Sequence, residues 1–202
     1  MPLPAPFWAA TSHDSMQDSG ATATIGAKRM LKKYSSQSPS HKKAMTLRFA
    51  FACPAHMLAT FFGTGVLRPA SGTWGSLAAL LCYMSLESFV PAWCWCCLIA
   101  LCFVLGARSS QSTGQDIGVH DHSSIVIDEV FAVWLTLLAV PSSWPWQVAA
   151  FAVFRFFDIV KIFPARWFDE SPRWRNGWGV MLDDAVAAVQ SILLLRLLVF
   201  IA

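Results

Sequence analysis

The chain has 202 residues, of which 55% are apolar and only 13% charged. This is one domain's worth of sequence, too poor in charge for an ordinary soluble domain, where about a quarter of residues are charged. The net charge of +3 is uneven, because residues 1–48 carry seven Lys or Arg against Asp14 and Asp18, and the remainder carries eight against ten acids. An acidic excess therefore lies in an apolar body. Ten tryptophans add to the membrane character, since indole rings favour the headgroup level of a bilayer.

Residues 1–45 are rich in Ser, Thr, Ala, Gln and Lys without sustained periodicity, which predicts a disordered basic leader. It does not read as a signal peptide, because no apolar core follows its basic residues until about Leu47. Little aromatic residue is interleaved with Lys28, Arg29, Lys32, Lys33, Lys42 and Lys43. The expected partner of the leader is therefore an anionic lipid surface and not nucleic acid. The rest, 46–202, is expected to be one helical membrane domain.

RFAFACPAHMLATFF (48–62) reads as a short apolar helix broken near Pro54, and GTGVLRPASGTWGS (63–76) as a glycine-rich loop. LAALLCYMSL follows, then twenty uncharged residues from Ser88 to Ala107, long enough to cross a bilayer core although Pro91 trims the helix. Val130–Phe154 is uncharged throughout and is interrupted by PSSWPW, so it predicts two helices with a turn at Pro141–Pro145. FRFFDIVK (154–161) is a further helical stretch, stopped by Pro164, and AVAAVQSILLLRLLVFIA (185–202) closes the chain. No apolar run alternates strictly, so helix is favoured over strand throughout. The expected fold is all-α, a compact helical bundle with several membrane-embedded helices and two to four crossings. The crossing number, orientation and oligomeric state stay open. Cys53, Cys82, Cys94, Cys96, Cys97 and Cys102 lack zinc-like spacing with histidines and are expected to be small buried hydrophobes without a structural disulfide.

The charges of the body are not scattered. Asp116, Asp121, Asp128 and Glu129 precede one apolar segment; Asp158, Asp169 and Glu170 accompany the next; Asp183 and Asp184 precede the last. A charge in hydrocarbon costs about 2.5–3.5 kcal/mol on insertion scales, so such grouping at segment ends implies a use. If 121–129 is helical, Asp121 and Asp128 share a face. Arg155, Asp158 and Lys161 recur every three residues as one polar stripe. Asp183 and Asp184 would begin the last helix, where the macrodipole favours anions. Clustered carboxylates need a cation, and oxygen-only ligands suit Mg²⁺. Arg and Lys beside them suit a phosphate, as do the glycines, hydroxyls and amides of RPASGTWGS. Taken together these features indicate Mg²⁺-dependent phosphoryl chemistry at a membrane surface.

Blander roles compete with that reading. Acids at helix ends serve as caps, and Arg155–Asp158 makes a structural i,i+3 ion pair. His120 and His122 flank Asp121, but near neighbours on a helix point different ways, which disfavours zinc. CFVLGAR (102–108) has the C-x5-R spacing of cysteine phosphatases, yet its intervening residues are apolar and continue a helix. Neither a GxxxxGK[ST] loop nor a GxSxG elbow is present.

Four blocks, FFGTGVLRPASGTWGSLAA, DIGVHDHSSIVIDEVFAVWLTLLAV, FRFFDIVKIFPARWFD and GWGVMLDDAVAAV, resemble in order and spacing the bacterial phosphatidylglycerophosphatase A family over about residues 50–190. The resemblance implies an integral, multi-pass inner-membrane enzyme that removes the phosphate monoester of phosphatidylglycerophosphate with Mg²⁺. The family's acidic motifs fall on Asp128, Glu129, Asp158, Asp183 and Asp184, which are expected to assemble one or two Mg²⁺ sites. Arg155 and Lys161 would hold the phosphate, with Asp121 or His120 as general base, and Gly72, Thr73, Gly75 and Ser76 would seat the headgroup of a phospholipid substrate in the bilayer. Ser71, Ala132, Ile162 and the tract 172–176 depart from the family's usual residues. A different lipid phosphate as substrate, a transporter using the charged stripe, a scaffold driven by the leader, and a soluble helical phosphatase are the competing readings.

Overall fold

The computed structural model describes residues 45–119, 122–160 and 176–201. Every regular element among them is helical. Helix α1, Leu47–Ala50, is capped by the Thr46 hydroxyl, which accepts from the Phe49 amide. Helix α2, Pro54–Ala59, starts on Pro54, whose fixed φ and missing N–H suit the first helical position. A 3₁₀ turn, Thr64–Val66, leads to α3, Ser71–Leu86. Pro91 caps α4, Ala92–Ile117, which stops at Gly118 in the left-handed conformation, the usual glycine termination. Helices α5, Ile127–Leu138, and α6, Trp144–Val160, are separated by the turn expected around Pro141, with Pro145 inside the first turn of α6. Helix α7 spans Gly177–Ile201, and Asn176 Oδ1 accepts from the Gly179 amide.

Three expectations are corrected here. The glycine-rich stretch is a loop only as far as Ala70; Ser71–Ser76 form the first turns of α3. Residues 122–126 are not helical, so the shared helical face proposed for Asp121 and Asp128 does not exist, and Asp121 itself lies outside the described residues. Asp183 and Asp184 do not begin the last helix: it starts at Gly177 and the two acids lie in its second turn, where the macrodipole has largely faded.

Helix α5 is the hub, in contact with α3, α4, α6 and α7. It buries Ile127, Val130, Phe131, Ala132, Val133, Thr136 and Leu137. At about 1.5 Å per residue its twelve residues fall well short of the roughly 30 Å of a bilayer core. Its apolar character therefore answers to neighbouring helices. Helices α4 and α7 are the two among the described residues that are long and apolar enough to cross a membrane, and only 33% and 28% of their most apolar stretches are buried within the protein. Leu98, Leu101, Val104, Leu193, Leu197 and Phe200 face outward from them. The tryptophans divide in the same way. Trp93 and Trp144 are exposed, whereas Trp95 is buried against Tyr83 and Trp134. The cysteines are all free, but the expectation that they are buried holds fully only for Cys102; Cys96 and Cys97 are exposed on α4, where apolar side chains already face outward.

Two ties fix the entry to α5, one at the end of α2 and one at the start of α3. The Val126 amide donates to the Ala59 carbonyl, and the Ser71 hydroxyl donates to the Ser123 carbonyl. At the far end of the same segment, His56 Nε2 lies 2.7 Å from Asp116 Oδ2 and Nδ1 lies 3.2 Å from the Phe49 carbonyl. Both partners are acceptors, so the ring serves both only when it carries both protons.

Gly75 allows α3 to lie against the entry to α5: a Cβ there would meet Val126 Cβ at 2.6 Å. Gly75→Ala is expected to lower stability by about 1–3 kcal/mol through overpacking, and Val126→Ala in the same chain, which removes the two methyls but keeps the nearest atom, Cβ, is expected to restore only part of the loss. Thermal unfolding of the detergent-purified protein measures both. A Gly75→Ala chain of wild-type stability contradicts this packing role.

Candidate active site

The first turn of α5 carries two carboxylates, Asp128 and Glu129. Glu129 turns towards α3, where its Oε2 is 2.8 Å from the Ser76 hydroxyl. A Cβ on Gly72 would overlap Glu129 Oε1, so the missing side chain lets the carboxylate lie against the α3 backbone. Asp128 lies within electrostatic reach of the Cys102 thiol on α4.

From α6, Arg155 joins the Glu129 group. Its Nη1 is 3.2 Å from Glu129 Oε1 and 2.7 Å from Asp158 Oδ2. It also approaches Ser76 Oγ at 3.4 Å. From α7, Asp184 acts on the Arg155 charge. Glu129 and Arg155 side chains are each only 16% exposed, and Asp158 12%. Removing ions from water costs several kcal/mol each, and only close pairing with further hydrogen bonds offsets it. Side chains of four helices, α3, α5, α6 and α7, thus act on one guanidinium. Burial pushes the Glu129 carboxyl up to about 7 from an ordinary 4.5, against the opposing pull of Arg155; Asp158 adds to the rise and the Ser76 hydroxyl eases it.

Of the site residues expected from the sequence, the structure gathers Glu129, Asp158, Arg155, Ser76 and Gly72, with Asp184 in electrostatic reach. Asp183 is buried on α7, and Asp128 lies within electrostatic reach of the Cys102 thiol on α4. Thr73 is exposed on the first turn of α3, and Gly75 packs on Val126. His120, Asp121 and Lys161 lie outside the described residues. His122 is fully buried and its Nδ1 accepts from the Ser124 amide, which leaves that nitrogen no lone pair for zinc.

Among the described residues, no three His, Cys, Asp or Glu side chains are gathered as metal ligands. The geometry gives the reason, since the Arg155 guanidinium lies between Glu129 and Asp158 and supplies the compensating positive charge. The donors themselves, carboxylate and hydroxyl oxygens, are of the hard type that suits Mg²⁺.

The i,i+3 stripe on α6 foretold Arg155 with Asp158. Nothing local foretold Arg155 with Glu129, Ser76 with Glu129, or His56 with Asp116, because each pair joins separate helices.

The family model described as phosphatidylglycerophosphatase A matches residues 57–199. The chain is 50% identical over 141 residues to the phosphatidylglycerophosphatase A of Haemophilus influenzae, covering 69% of this chain and 85% of that one. It is 40% identical over 154 residues to that of Escherichia coli, covering 76% and 88%. It is also 37% identical over 146 residues to a Bacteroides thetaiotaomicron protein provisionally named a phosphatidylinositol-3-phosphatase, covering 69% and 89%. No solved structure matches the chain.

Because the folded-state value for Glu129 lies above the ordinary one, the native state holds this proton more tightly than the unfolded chain. Without divalent cations, the stabilisation from this group is full below about 4.5 and is lost as the pH rises through about 7. Unfolding midpoints in EDTA are expected to fall across that range, and Glu129→Gln is expected to flatten the slope. An unchanged slope in the variant contradicts the assignment.

Proposed function

The chain belongs to the phosphatidylglycerophosphatase A family, and from that premise we propose that it hydrolyses the phosphate monoester of phosphatidylglycerophosphate, releasing phosphatidylglycerol and inorganic phosphate. The observation that carries this reading is the convergence of Glu129, Asp158 and Arg155 from two helices, with Asp184 acting from a third, inside the matched span.

In the reaction a water oxygen bonds to phosphorus, the bond from phosphorus to the glycerol oxygen breaks, and that oxygen leaves with a proton. Arg155 suits the phosphate because a guanidinium donates to two oxygens at once. The carboxylates of Glu129 and Asp158 fix its position, so the donors need no rearrangement as charge develops on the equatorial oxygens. Lys161 adds a second cation, and His120 or Asp121 takes the proton from water; these assignments rest on the sequence. Asp128, Glu129, Asp158, Asp183 and Asp184 would hold Mg²⁺. Bound there, the ion supplies polarisation of the phosphate and a more acidic water.

The substrate is a lipid, and α4 and α7 have outward apolar faces to match. The reading places the protein in the bacterial inner membrane with α4 and α7 as crossings. The basic leader then rests on the anionic lipid surface. The provisionally named Bacteroides relative favours one second reading, a phosphatase of another lipid phosphate monoester.

Phosphate release from phosphatidylglycerophosphate by the purified chain is expected to stop in EDTA and return with Mg²⁺. Asp158→Asn is expected to lower it about 10²–10³-fold, as for loss of one preorganised electrostatic group. Assaying a phosphorylated inositol lipid and a soluble phosphomonoester in parallel ranks the substrates. Faster turnover of the inositol lipid favours the second reading, and equal turnover of the soluble ester contradicts both.

A further inference from the structure

The hydroxyl of Ser76 is completely buried, in the second turn of α3. Its oxygen is 2.8 Å from Glu129 Oε2, 2.8 Å from the Gly72 carbonyl and 3.4 Å from Arg155 Nη1. We propose that Ser76 is a positioning residue of the hydrolytic site, holding the Glu129 carboxylate against Arg155, and that it does not touch the lipid headgroup. This rests on the lipid phosphatase reading above.

The hydroxyl has one proton and two acceptors facing it. The Gly72 carbonyl already receives an amide in the regular helix ladder, whereas Glu129 offers a buried charge, and hydrogen bonds to charged acceptors are about twice as strong as neutral ones. The proton therefore goes to Glu129 Oε2, and the oxygen's lone pairs face the Arg155 guanidinium. Glu129 is gripped at both oxygens, Oε1 by Arg155 and Oε2 by Ser76. Two fixed points set the plane of a carboxylate. The α3 backbone at Gly72 closes one side of it. Removing the Ser76 hydroxyl leaves Oε2 without that donor, and the carboxylate turns about its single contact with Arg155. A headgroup oxygen reaches Ser76 only if α3 separates from α5. Thr73, exposed one turn earlier, needs no such movement and is the hydroxyl of this stretch open to a ligand.

The test uses the full chain in detergent with phosphatidylglycerophosphate as substrate. Ser76→Ala keeps a good helix former in place, so folding is preserved. Its kcat is expected to fall about 10–100-fold, the usual cost of losing a group that orients a site ligand, with KM within about twofold of wild type. Ser76→Thr, which keeps the hydroxyl, is expected to recover most of the loss in kcat. A raised KM at unchanged kcat overturns the proposal in favour of direct headgroup contact, and wild-type kcat in Ser76→Ala overturns it outright.

A stability cycle reads the contact without any turnover. The fall in unfolding midpoint caused by Ser76→Ala is expected in the wild-type background and not in Glu129→Met. Equal falls in both backgrounds show that the hydroxyl serves something other than Glu129 and overturn the proposal. A wild-type chain inert towards every lipid phosphate overturns the phosphatase reading and with it the catalytic half of this proposal. The cycle still decides the contact.

Discussion

A buried guanidinium among buried carboxylates is the constraint around which this bundle is arranged. Arg155 bridges Glu129 of α5 and Asp158 of its own helix, with Asp184 of α7 adding to the field. Breaking such a cluster on one side costs about 3–5 kcal/mol, because the remaining charge stays buried and uncompensated. An apolar cluster of similar volume is often as stable or more so, so stability alone gives little reason to keep these ions. A site that must bind a doubly charged phosphate gives a better one.

The rest of the fold serves that meeting point. Helix α5 is short and central, so its first turn delivers Glu129 into the interior and not to a free surface. The ties from Val126 to Ala59 and from Ser71 to Ser123 fix how α5 enters. Gly72 and Gly75 bring α3 close enough for Ser76 to reach Glu129. Helices α4 and α7 take the outer positions with their apolar faces turned away from the core. Helix α7 serves both purposes, with its exposed apolar side chains on one face and Asp184 acting on Arg155 from the other.

Much of this was legible in the sequence, for physical reasons that can be named. Prolines punctuate the helices, so Pro91 and Pro141 mark real boundaries. The stripe of Arg155 and Asp158 is a local, periodic signal and was read correctly as one face. The glycine-rich stretch misled, because Gly72 and Gly75 look like loop residues while serving close helix packing, a tertiary property absent from local pattern. Asp183 and Asp184 misled for a related reason: the helix that carries them starts at a glycine, Gly177, which local propensity does not favour. The apolar length of 130–154 likewise could not distinguish lipid from neighbouring helices, since both reward the same side chains. That Glu129 meets Ser76 and Arg155 depends on the whole bundle, because both partners lie on other helices.

The most direct measurement is an experimental structure of the Mg²⁺-loaded chain with vanadate, a mimic of the phosphoryl group in transfer. The account predicts the anion on the Arg155 guanidinium, with Glu129, Asp158 and Asp184 around the same pocket. Vanadate bound elsewhere, with Arg155 still locked between its two carboxylates, would contradict it.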